Sequence, residues 1–490
     1  MTPLAGPYTF GERDEVFIFP TSFAQQRLWF LDRLVPDRQL YVVDVAMHLN
    51  GAVDLGALTW AVDALVARHE SLRTTFIAVD GQPFARVGGG EPVVVEVDAD
   101  PQEFARRPFD LERGPLLRFC LIPTQSLLVV CIHHIVTDGW SMRIFLRELS
   151  ALYAAGHAGK PVALAALPIQ YADFAVWQRQ ELSGARLREL LAFWREELAR
   201  APVLDLMTDR SRPAVPSFRG GSVPVELTPA VTQRLEVLAH EQGATVFMAL
   251  LAVFSVLLNR YSGQDDVIVG TPVAGRTRGE LEGVIGFFVN TLVLRIDLGS
   301  DPSFRDLLAR TRDRAVRAYS HQDLPFEKLV EELQPERNLS RNPLCQVFFQ
   351  LSTEPSVSNC APAPLVDGIG PSGSDHADDP PLRFSWAPSP LSGISSKFDL
   401  NLSLWDGPTG IGGRLEYSSE LFERATVARM ADHFHVLLEG LVADPNAPIS
   451  TVPLFNSDER HYLDGFNATV APIPDLCVHE LIDAQAARTS

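Results

Sequence analysis

The sequence has few cysteines, and it places them far apart. Five occur in 490 residues, and no two of them form a close pair. This spacing fits neither the disulfide framework of a small secreted protein nor the paired ligands of a zinc site. We therefore predict no bound metal and a set of reduced, mostly structural thiols at Cys120, Cys131, Cys345, Cys360 and Cys477.

Positive charge and long apolar runs are scarce as well. Lysine and arginine together number 42 against 61 acidic residues, a net charge of −19 that would repel a nucleic acid. The most apolar run, residues 246–258, is shorter than the roughly 20 residues that a membrane-spanning helix needs. The N-terminus lacks the basic and apolar regions of a secretory signal. These absences predict a cytoplasmic protein with no nucleic-acid or membrane partner.

Residues that can build a core are abundant. Hydrophobic residues make up 46% of the chain and charged residues 21%, a balance typical of globular proteins. Helical and strand patterns alternate along most of the chain, which indicates a mixed α/β fold. The chain is too long for one domain of usual size. We predict two lobes, residues 1–180 and 181–460, with residues 461–490 beyond them.

One short stretch, CIHHIVTDGWSM at residues 131–142, combines two adjacent histidines with an Asp-Gly pair. An apolar strand is predicted before it, over residues 126–134, and a helix after it, over residues 141–156. Three interpretations are open: an ordinary turn between strand and helix, a metal site, or a catalytic loop. The metal site is disfavoured because the stretch supplies two ligands and no second cluster completes the shell.

The catalytic interpretation depends on the geometry of a strand. Successive residues point to opposite faces, so His133 and His134 cannot both line one cavity, and one of them must be structural. A histidine near its ordinary pKa of about 6.5 can accept a proton from an amine or a hydroxyl. Gly139 would let a substrate carbonyl approach the first amides of the helix, which face a developing oxyanion. Because no Gly-x-Ser-x-Gly motif is present, direct transfer between two bound substrates is favoured over an acyl-enzyme.

Seven stretches occur in the order found in one known family. They extend from Ser22 to Phe349 and read SFAQQRLWFL, RHESLRTTF, HHIVTDGWS, YADFAVWQ, IGFFVNTLVLR, HQDLPFEKLV and RNPLCQVFF. In them the chain resembles the condensation domains of nonribosomal peptide synthetases, which are related in fold to chloramphenicol acetyltransferase. The resemblance implies an α/β fold of two chloramphenicol-acetyltransferase-like lobes, a V-shaped pseudo-dimer with a tunnel between them. Residues 461–490 are similar to a linker and the start of an adenylation domain.

The resemblance also implies an activity. In that family a donor acyl or peptidyl thioester is joined to the amine of an acceptor aminoacyl thioester. Both substrates are carried on the phosphopantetheine of peptidyl carrier proteins, and the domain itself binds no cofactor. The partners implied are the donor and acceptor carrier proteins and a downstream adenylation domain.

Residue roles are carried over by position. His134 would orient or deprotonate the amine, with Gly139 beside the thioester carbonyl. His133, Asp138 and Arg276 would be structural, and Arg276 would hold Asp138 from the other lobe.

Other residues have two interpretations each. Trp140 and Ser141 are predicted either to line the tunnel or to cap the helix. Asn290 is predicted to be hydrogen-bonded in the interior or near the tunnel. Pro325 and Phe326 are predicted to shape a surface turn.

Subtype and rival functions can be argued from the same stretches. SFAQQRLWFLDRL and HHIVTDGWS resemble the class that joins an L-configured donor to an L-configured acceptor. The alternatives are an ester-forming enzyme, an epimerase-like relative, and an inactive scaffold that only docks carrier proteins. Docking alone does not require His134, Asp138 and Gly139 together. The Pro/Gly/Ser-rich residues 353–396 are predicted to form an exposed flexible loop.

Overall fold

The computed structural model describes most of the chain. The described residues are 16–34, 39–50, 53–162, 164–334, 340–352, 383–387, 395–407, 410–469 and 476–489. The prediction of a reduced thiol at Cys360 falls outside them. Cys120, Cys131, Cys345 and Cys477 form no disulfide.

The strands of the described residues belong to three sheets. In chain order they are β1 (Phe17–Pro20), β2 (Val42–Asn50), β3 (Thr74–Val79), β4 (Gln82–Val87), β5 (Val95–Val97), β6 (Leu117–Ile122), β7 (Leu127–His133), β8 (Gly220–Glu226), β9 (Asp266–Val273), β10 (Asn290–Asp297), β11 (Val347–Ser352), β12 (Arg383–Ala387), β13 (Leu400–Gly407) and β14 (Gly410–Ser418).

The helices of the described residues alternate with these strands. They are α1 (Phe23–Leu34), α2 (Leu55–Arg68), α3 (Pro101–Arg106), α4 (Gly139–Ala158), α5 (Tyr171–Glu181), α6 (Gly184–Glu197), α7 (Pro229–Glu241), α8 (Val246–Ser262), α9 (Phe304–Tyr319), α10 (Phe326–Leu333), α11 (Arg424–Ala443), α12 (Ser457–Asn467) and α13 (Val478–Thr489).

The two larger sheets are built from different parts of the chain. The five-stranded sheet has the order β12-β2-β7-β6-β5, and the six-stranded sheet has the order β10-β9-β11-β13-β14-β8. Both sheets mix parallel and antiparallel pairs: β5 runs parallel to β6, and β11 runs parallel to β9 and β13. The third sheet, β1-β4-β3, is antiparallel. The mixed α/β fold predicted from the alternating patterns is therefore confirmed.

Each larger sheet supports its own hydrophobic core. One core joins β2, β6 and β7 to α2 and α4, and the other joins the six-stranded sheet to α7, α8, α9 and α11. Burial of apolar surface stabilises each core separately, because the two clusters share no residue. A third, small cluster contains Tyr171, Phe174, Leu281, Val284 and Phe288 and packs α5 against residues 281–288. The division into lobes at residue 180 stays a prediction.

The segment predicted as a flexible loop is only partly described, and there the prediction is wrong. Within residues 353–396, Arg383–Ala387 forms strand β12, which pairs antiparallel with β2 at the edge of the five-stranded sheet. The chain thus returns from the second half to the sheet of the first half. The pairing partner of β12 is more than 300 residues away, and a local composition pattern carries no information about it.

The last two described helices lie outside both cores. The side chains of α12 and α13 are mostly exposed, and the assignment of residues 461–490 stays a prediction.

No single helix among the described residues has the length and apolar composition to cross a membrane. Helices α7 and α8 are joined at a bend of 107°, and they reach that length and apolar composition only when the two are counted together.

Candidate active site

The site is built on the turn between β7 and α4. All seven residues of β7 are buried, so the strand delivers the histidines to a fixed position at its end. A 3₁₀ turn over His134–Val136 follows, and Asp138 then caps α4 by accepting a 2.8 Å hydrogen bond from the Ser141 amide. Asp is a preferred N-cap residue because its carboxylate satisfies an amide that the helix leaves free. Local sequence therefore determines the shape of the turn.

His133 lies on the buried side of this turn. Its side chain is 1% exposed, and its Nδ1 accepts a 3.1 Å hydrogen bond from the Ile135 amide. The ring packs edge-on against Phe109, with 6.1 Å between centroids. Burial lowers the pKa of His133 to about 3, so the ring is neutral at pH 7. A neutral ring enclosed in this way supports the turn and has no access to a substrate.

His134 lies on the opposite side and keeps accessible surface. Its Nδ1 is 2.7 Å from the carbonyl oxygen of Thr137, so the Nδ1–H group donates a hydrogen bond to that carbonyl. The neutral ring carries one proton, so the lone pair is on Nε2. No hydrogen bond to Nε2 is formed by any of the described residues. The His134 amide donates to the Tyr41 carbonyl at 2.8 Å, and the ring rests edge-on against Phe287.

The electrostatics of His134 favour the neutral form. Burial, and after it the positive charge of Lys397, lower the pKa of His134 to about 4. The hydrogen bond to Thr137 and the charge of Asp138 raise the pKa, but these effects are smaller. Deprotonation is therefore complete at pH 7. The imidazole can accept a proton there, although the low pKa makes it a weaker base than a free histidine.

Asp138 and Arg276 meet across the two halves of the chain. Arg276 Nη2 is 3.3 Å from Asp138 Oδ1, and the two side chains are 1% and 3% exposed. Asp138 Oδ2 also accepts a 2.9 Å hydrogen bond from the Phe288 amide. Arg276 continues to the carbonyl oxygens of Leu281 and Val284. One buried ion pair thus ties the start of α4 to residues 281–288, which is a positioning arrangement.

Ser141 does not have the surface that lining a tunnel would need. Its side chain is fully buried, where Oγ donates to the Gly286 carbonyl at 2.8 Å and accepts from Arg276 at 2.7 Å. The geometry therefore contradicts the tunnel interpretation for this residue and favours a structural one. Trp140 keeps accessible surface, and its indole N–H donates to the Glu282 carbonyl at 3.1 Å.

Asn290 organises the turn before α10. Its amide nitrogen donates to the carbonyls of Gln322 and Leu324, and its Oδ1 accepts a 2.9 Å hydrogen bond from the Phe326 amide. Every side-chain polar atom of Asn290 is thus engaged within the protein. Pro325 and Phe326 are buried, so the prediction of a surface turn is wrong. The apolar Phe326 ring packs beneath the guanidinium of Arg27 at 5.0 Å.

Gly139 borders open space. The residue is exposed, and a Cβ atom added to it would have no neighbour within 4 Å. The space is on the same turn as His134 but is not filled by the protein. A substrate group can approach the main chain there, as the absence of a side chain allows.

Four further side chains interact with one another, and one of them, Lys397, acts on His134 through its charge; the sequence motifs did not indicate them. Together with His134 they form the central cluster: Arg27, Tyr41, Glu327 and Lys397. Arg27 pairs with Glu327 at 3.3 Å, and the Lys397 ammonium lies 4.7 Å from the centre of the Tyr41 ring. Arg27 and Glu327 fall within two of the seven family-like stretches, as charges on otherwise apolar helix faces. A charged residue on such a face was the signal by which the sequence could have indicated Arg27 and Glu327.

The central cluster combines side chains from both halves of the chain, and they are strongly desolvated. Each of its five residues has intermediate exposure, yet burial raises the pKa of Tyr41 and lowers those of His134 and Lys397. Side chains on an open surface are not desolvated to this extent. The five side chains are therefore largely shielded from bulk solvent, which fits the tunnel that the family resemblance implies. Among the described residues, no group of three or more His, Cys, Asp or Glu side chains could hold a metal ion.

Comparisons with known proteins agree on one family. The family model described as the condensation domain matches residues 17–463. The chain is 40% identical over 489 residues to the malpinin synthetase of Mortierella alpina. That match covers 96% of this chain and 6% of the relative, so the chain spans a small part of the relative's length. It is also 41% identical over 474 residues to the phosphinothricin tripeptide synthetase PhsC of Streptomyces viridochromogenes, over 93% of this chain and 42% of that one.

Solved structures of similar fold are also known. The X-domain from teicoplanin biosynthesis matches with a TM-score of 0.78 and 29% identity, over 93% of this chain and all of that one. The condensation domain of the monacolin K polyketide synthase MokA matches with a TM-score of 0.74, over 89% of this chain and 100% of that one. Its identity of 23% shows the fold alone.

Proposed function

The chain belongs to the condensation-domain family and has its chloramphenicol-acetyltransferase-like α/β fold, and from this premise we propose that it forms amide bonds. A donor acyl or peptidyl thioester is transferred to the amine of an acceptor aminoacyl thioester. Both thioesters are held on the phosphopantetheine of carrier proteins, and the two arms meet at His134 in an interior passage, the tunnel that the resemblance implies. The class that joins an L-configured donor to an L-configured acceptor is proposed from the resemblance of its motifs.

The observation that carries the proposal is the state of His134. Its Nδ1 proton is engaged by the Thr137 carbonyl, so Nε2 presents a lone pair to the passage. A neutral imidazole at that position can orient the attacking amine by accepting its hydrogen bond and then take its proton. The thioester supplies the activation, so the reaction as proposed uses neither ATP nor a metal ion.

The other site residues have supporting roles in this proposal. Asp138 and Arg276 hold the turn and the facing residues 281–288 in register, and His133 supports the turn from behind. Gly139 leaves room for the thioester carbonyl next to the start of α4, where the helix dipole favours negative charge. Trp140 and Asn290 position the walls of the passage through their hydrogen bonds.

The experiment uses two carrier proteins, one loaded with an aminoacyl donor and one with an aminoacyl acceptor. The chain is added with a chelator and without nucleotide, and the acceptor carrier is followed by intact mass. A mass increase equal to the donor acyl group, lost on His134→Ala, supports amide formation. An unchanged acceptor mass together with measurable carrier binding would contradict the proposal and favour a docking scaffold. An increase only with a hydroxyacyl acceptor would indicate ester formation.

A downstream adenylation domain is part of the same proposal. Malpinin synthetase is many times longer than this chain, and the exposed helices α12 and α13 follow the second core. We place the linker and the start of the adenylation domain in residues 461–490.

A further inference from the structure

The chain uses lysine sparingly, and one of its lysines lies in the central cluster. Its three lysines are Lys160, Lys328 and Lys397. Lys160 is exposed after α4, and Lys328 pairs with Glu331 at 2.6 Å. Lys397 comes shortly before β13, and no carboxylate among the described residues lies within ion-pair distance of its ammonium. Within the described part of the chain, this positive charge thus has no carboxylate partner.

The position of Lys397 is held by Tyr41. The ammonium lies 4.7 Å from the centre of the Tyr41 ring, a cation–π contact. The Tyr41 carbonyl in turn accepts the His134 amide at 2.8 Å. Lys397 precedes a strand of the six-stranded sheet, whereas Tyr41 and His134 flank paired strands of the five-stranded sheet. The ammonium and the imidazole are therefore contributed from beside different sheets.

The charged groups around the ammonium have opposing effects on its pKa. Burial lowers the pKa of Lys397 to about 8, Glu416 raises it, and Arg27 lowers it. The group is thus charged at pH 7. Its own charge lowers the pKa of His134 and of His133. The titratable groups around Lys397 and His134 are Arg27, Tyr41, His133, Asp138, Glu327 and Glu416.

An ammonium placed there is unfavourable in the free protein. Its burial costs solvation free energy, and its charge weakens the neighbouring base. Perturbed pairs of this kind concentrate where charge changes during a reaction. In amine addition to a thioester, negative charge develops on the carbonyl oxygen, and a preorganised cation in a desolvated site stabilises it strongly. The two disadvantages disappear in that transition state.

We propose that Lys397 is a catalytic residue, whose ammonium stabilises the oxyanion formed when the acceptor amine adds to the donor thioester. This inference rests on the proposed amide-forming function. The amine nitrogen forms a bond to the carbonyl carbon, and the carbonyl π pair moves to oxygen beside Lys397. His134 accepts one proton from nitrogen. The oxygen pair then re-forms the carbonyl, the carbon–sulfur bond breaks, and the departing phosphopantetheine thiolate takes the proton from His134.

The test compares Lys397→Met with Lys397→Arg and with the matched control Lys160→Met. Transfer between the two loaded carriers is measured in single turnovers over a range of acceptor concentrations up to saturation. We expect Lys397→Met to slow the transfer by about 10²- to 10³-fold, the loss that follows removal of one oxyanion donor, with unchanged KM. Lys397→Arg should recover most of the rate because it keeps a positive charge. Lys160→Met should match the unmodified chain.

The pH profile adds a readout that a purely structural role would not change. The unmodified chain should lose rate as Lys397 deprotonates near about pH 8, and Lys397→Met should lack this limb. Because the chain has three lysines, ¹³C-methylated lysines give few NMR signals, and the one missing in Lys397→Met reports the titration directly. Melting temperatures of all variants check folding, with Lys397→Gln as a second neutral replacement.

Three results would overturn the inference. They are a Lys397→Met variant with the single-turnover rate of the unmodified chain, an equal loss in Lys397→Arg, and a loss confined to KM for acceptors with acidic side chains. The last result would assign Lys397 to side-chain recognition. If the unmodified chain transfers no acyl group, the proposed function itself fails, and this inference fails with it.

Discussion

At the scale of single residues, the two histidines form a matched pair for mutation. His134→Ala removes the lone pair that faces the passage, and we expect a loss of about 10²- to 10⁴-fold in the transfer rate. The fold should survive, because within the described residues the side chain makes one hydrogen bond, to Thr137, and it is only partly buried. The measurement is single-turnover transfer between loaded carriers.

His133→Ala is the control for this change. It leaves the Ile135 amide without its acceptor and a gap beside Phe109, so we expect a loss of about 1 to 3 kcal/mol in the free energy of unfolding. Urea denaturation measures this. A His134→Ala protein that is folded and turns over at the normal rate would contradict the assignment of the base.

The low pKa values of both histidines predict a pH dependence. Their folded-state pKa values, about 3 for His133 and about 4 for His134, lie below the ordinary value of about 6.5. Between these limits the unfolded chain binds more protons, so their contribution to stability is complete above about pH 6.5 and is lost as the pH falls toward 3. Urea midpoints should fall over that window, and less steeply in His133→Gln. Equal slopes would contradict the shift.

At the scale of the element, the turn before α4 depends on the Asp138–Arg276 pair. Removing either partner leaves a buried charge, and we expect each alanine substitution to cost about 3 to 5 kcal/mol of stability. The double variant should lose less than the sum of the two. Urea denaturation of the four proteins gives the coupling energy. Strictly additive losses would mean that the two side chains do not interact.

The start of α4 gives a second prediction, in which stability and activity separate. Because nothing lies within 4 Å of a Cβ at Gly139, Gly139→Ala and Gly139→Val should fold with little change in melting temperature apart from a small helix-propensity effect. Activity should fall with side-chain size, and valine should nearly abolish transfer by filling the space for the thioester carbonyl. Full transfer by Gly139→Val would remove Gly139 from the site.

The turn could be predicted from sequence, whereas its surroundings could not. The apolar run of β7 and the Asp-Gly pair are local signals, and the observed ends of α4 lie within two residues of the predicted ones, although Gly156, the predicted stop, lies inside the helix. Strand β12 and the approach of Lys397 to Tyr41 depend on contacts between residues more than 300 positions apart. Local sequence also could not decide between the two interpretations of Ser141, because its partners Arg276 and Gly286 lie in the second half.

At the scale of the whole molecule, the site exists because two separately stabilised cores meet. The imidazole directly follows β7, a strand of the first core, and Arg276, Glu327 and Lys397 come from the second half. The contact between the halves includes Tyr171, whose hydroxyl donates to the Phe287 carbonyl at 2.6 Å and lies 2.9 Å from Ser22 Oγ. A small change at this contact should therefore affect chemistry more than the stability of either core.

Gly286 is the position where that contact is tightest. A Cβ there would lie 1.9 Å from Cδ2 of the Tyr171 ring, so the ring and the backbone of residues 281–288 would have to separate. We expect Gly286→Ala to cost about 1 to 3 kcal/mol, as overpacking does. Transfer should fall at least tenfold, because displacing residues 281–288 moves Phe287 away from His134 and pulls on Arg276.

Gly283 provides the matched control within the same segment. A Cβ at that position would meet Leu167 at 3.5 Å, an ordinary contact, so Gly283→Ala should keep both stability and transfer rate. Each variant adds one methyl group, and the two positions are three residues apart. Melting temperature and single-turnover transfer, measured side by side, separate tight packing from general sensitivity of the segment. If Gly286→Ala behaved like Gly283→Ala, the relative position of the two halves would not limit the chemistry at His134.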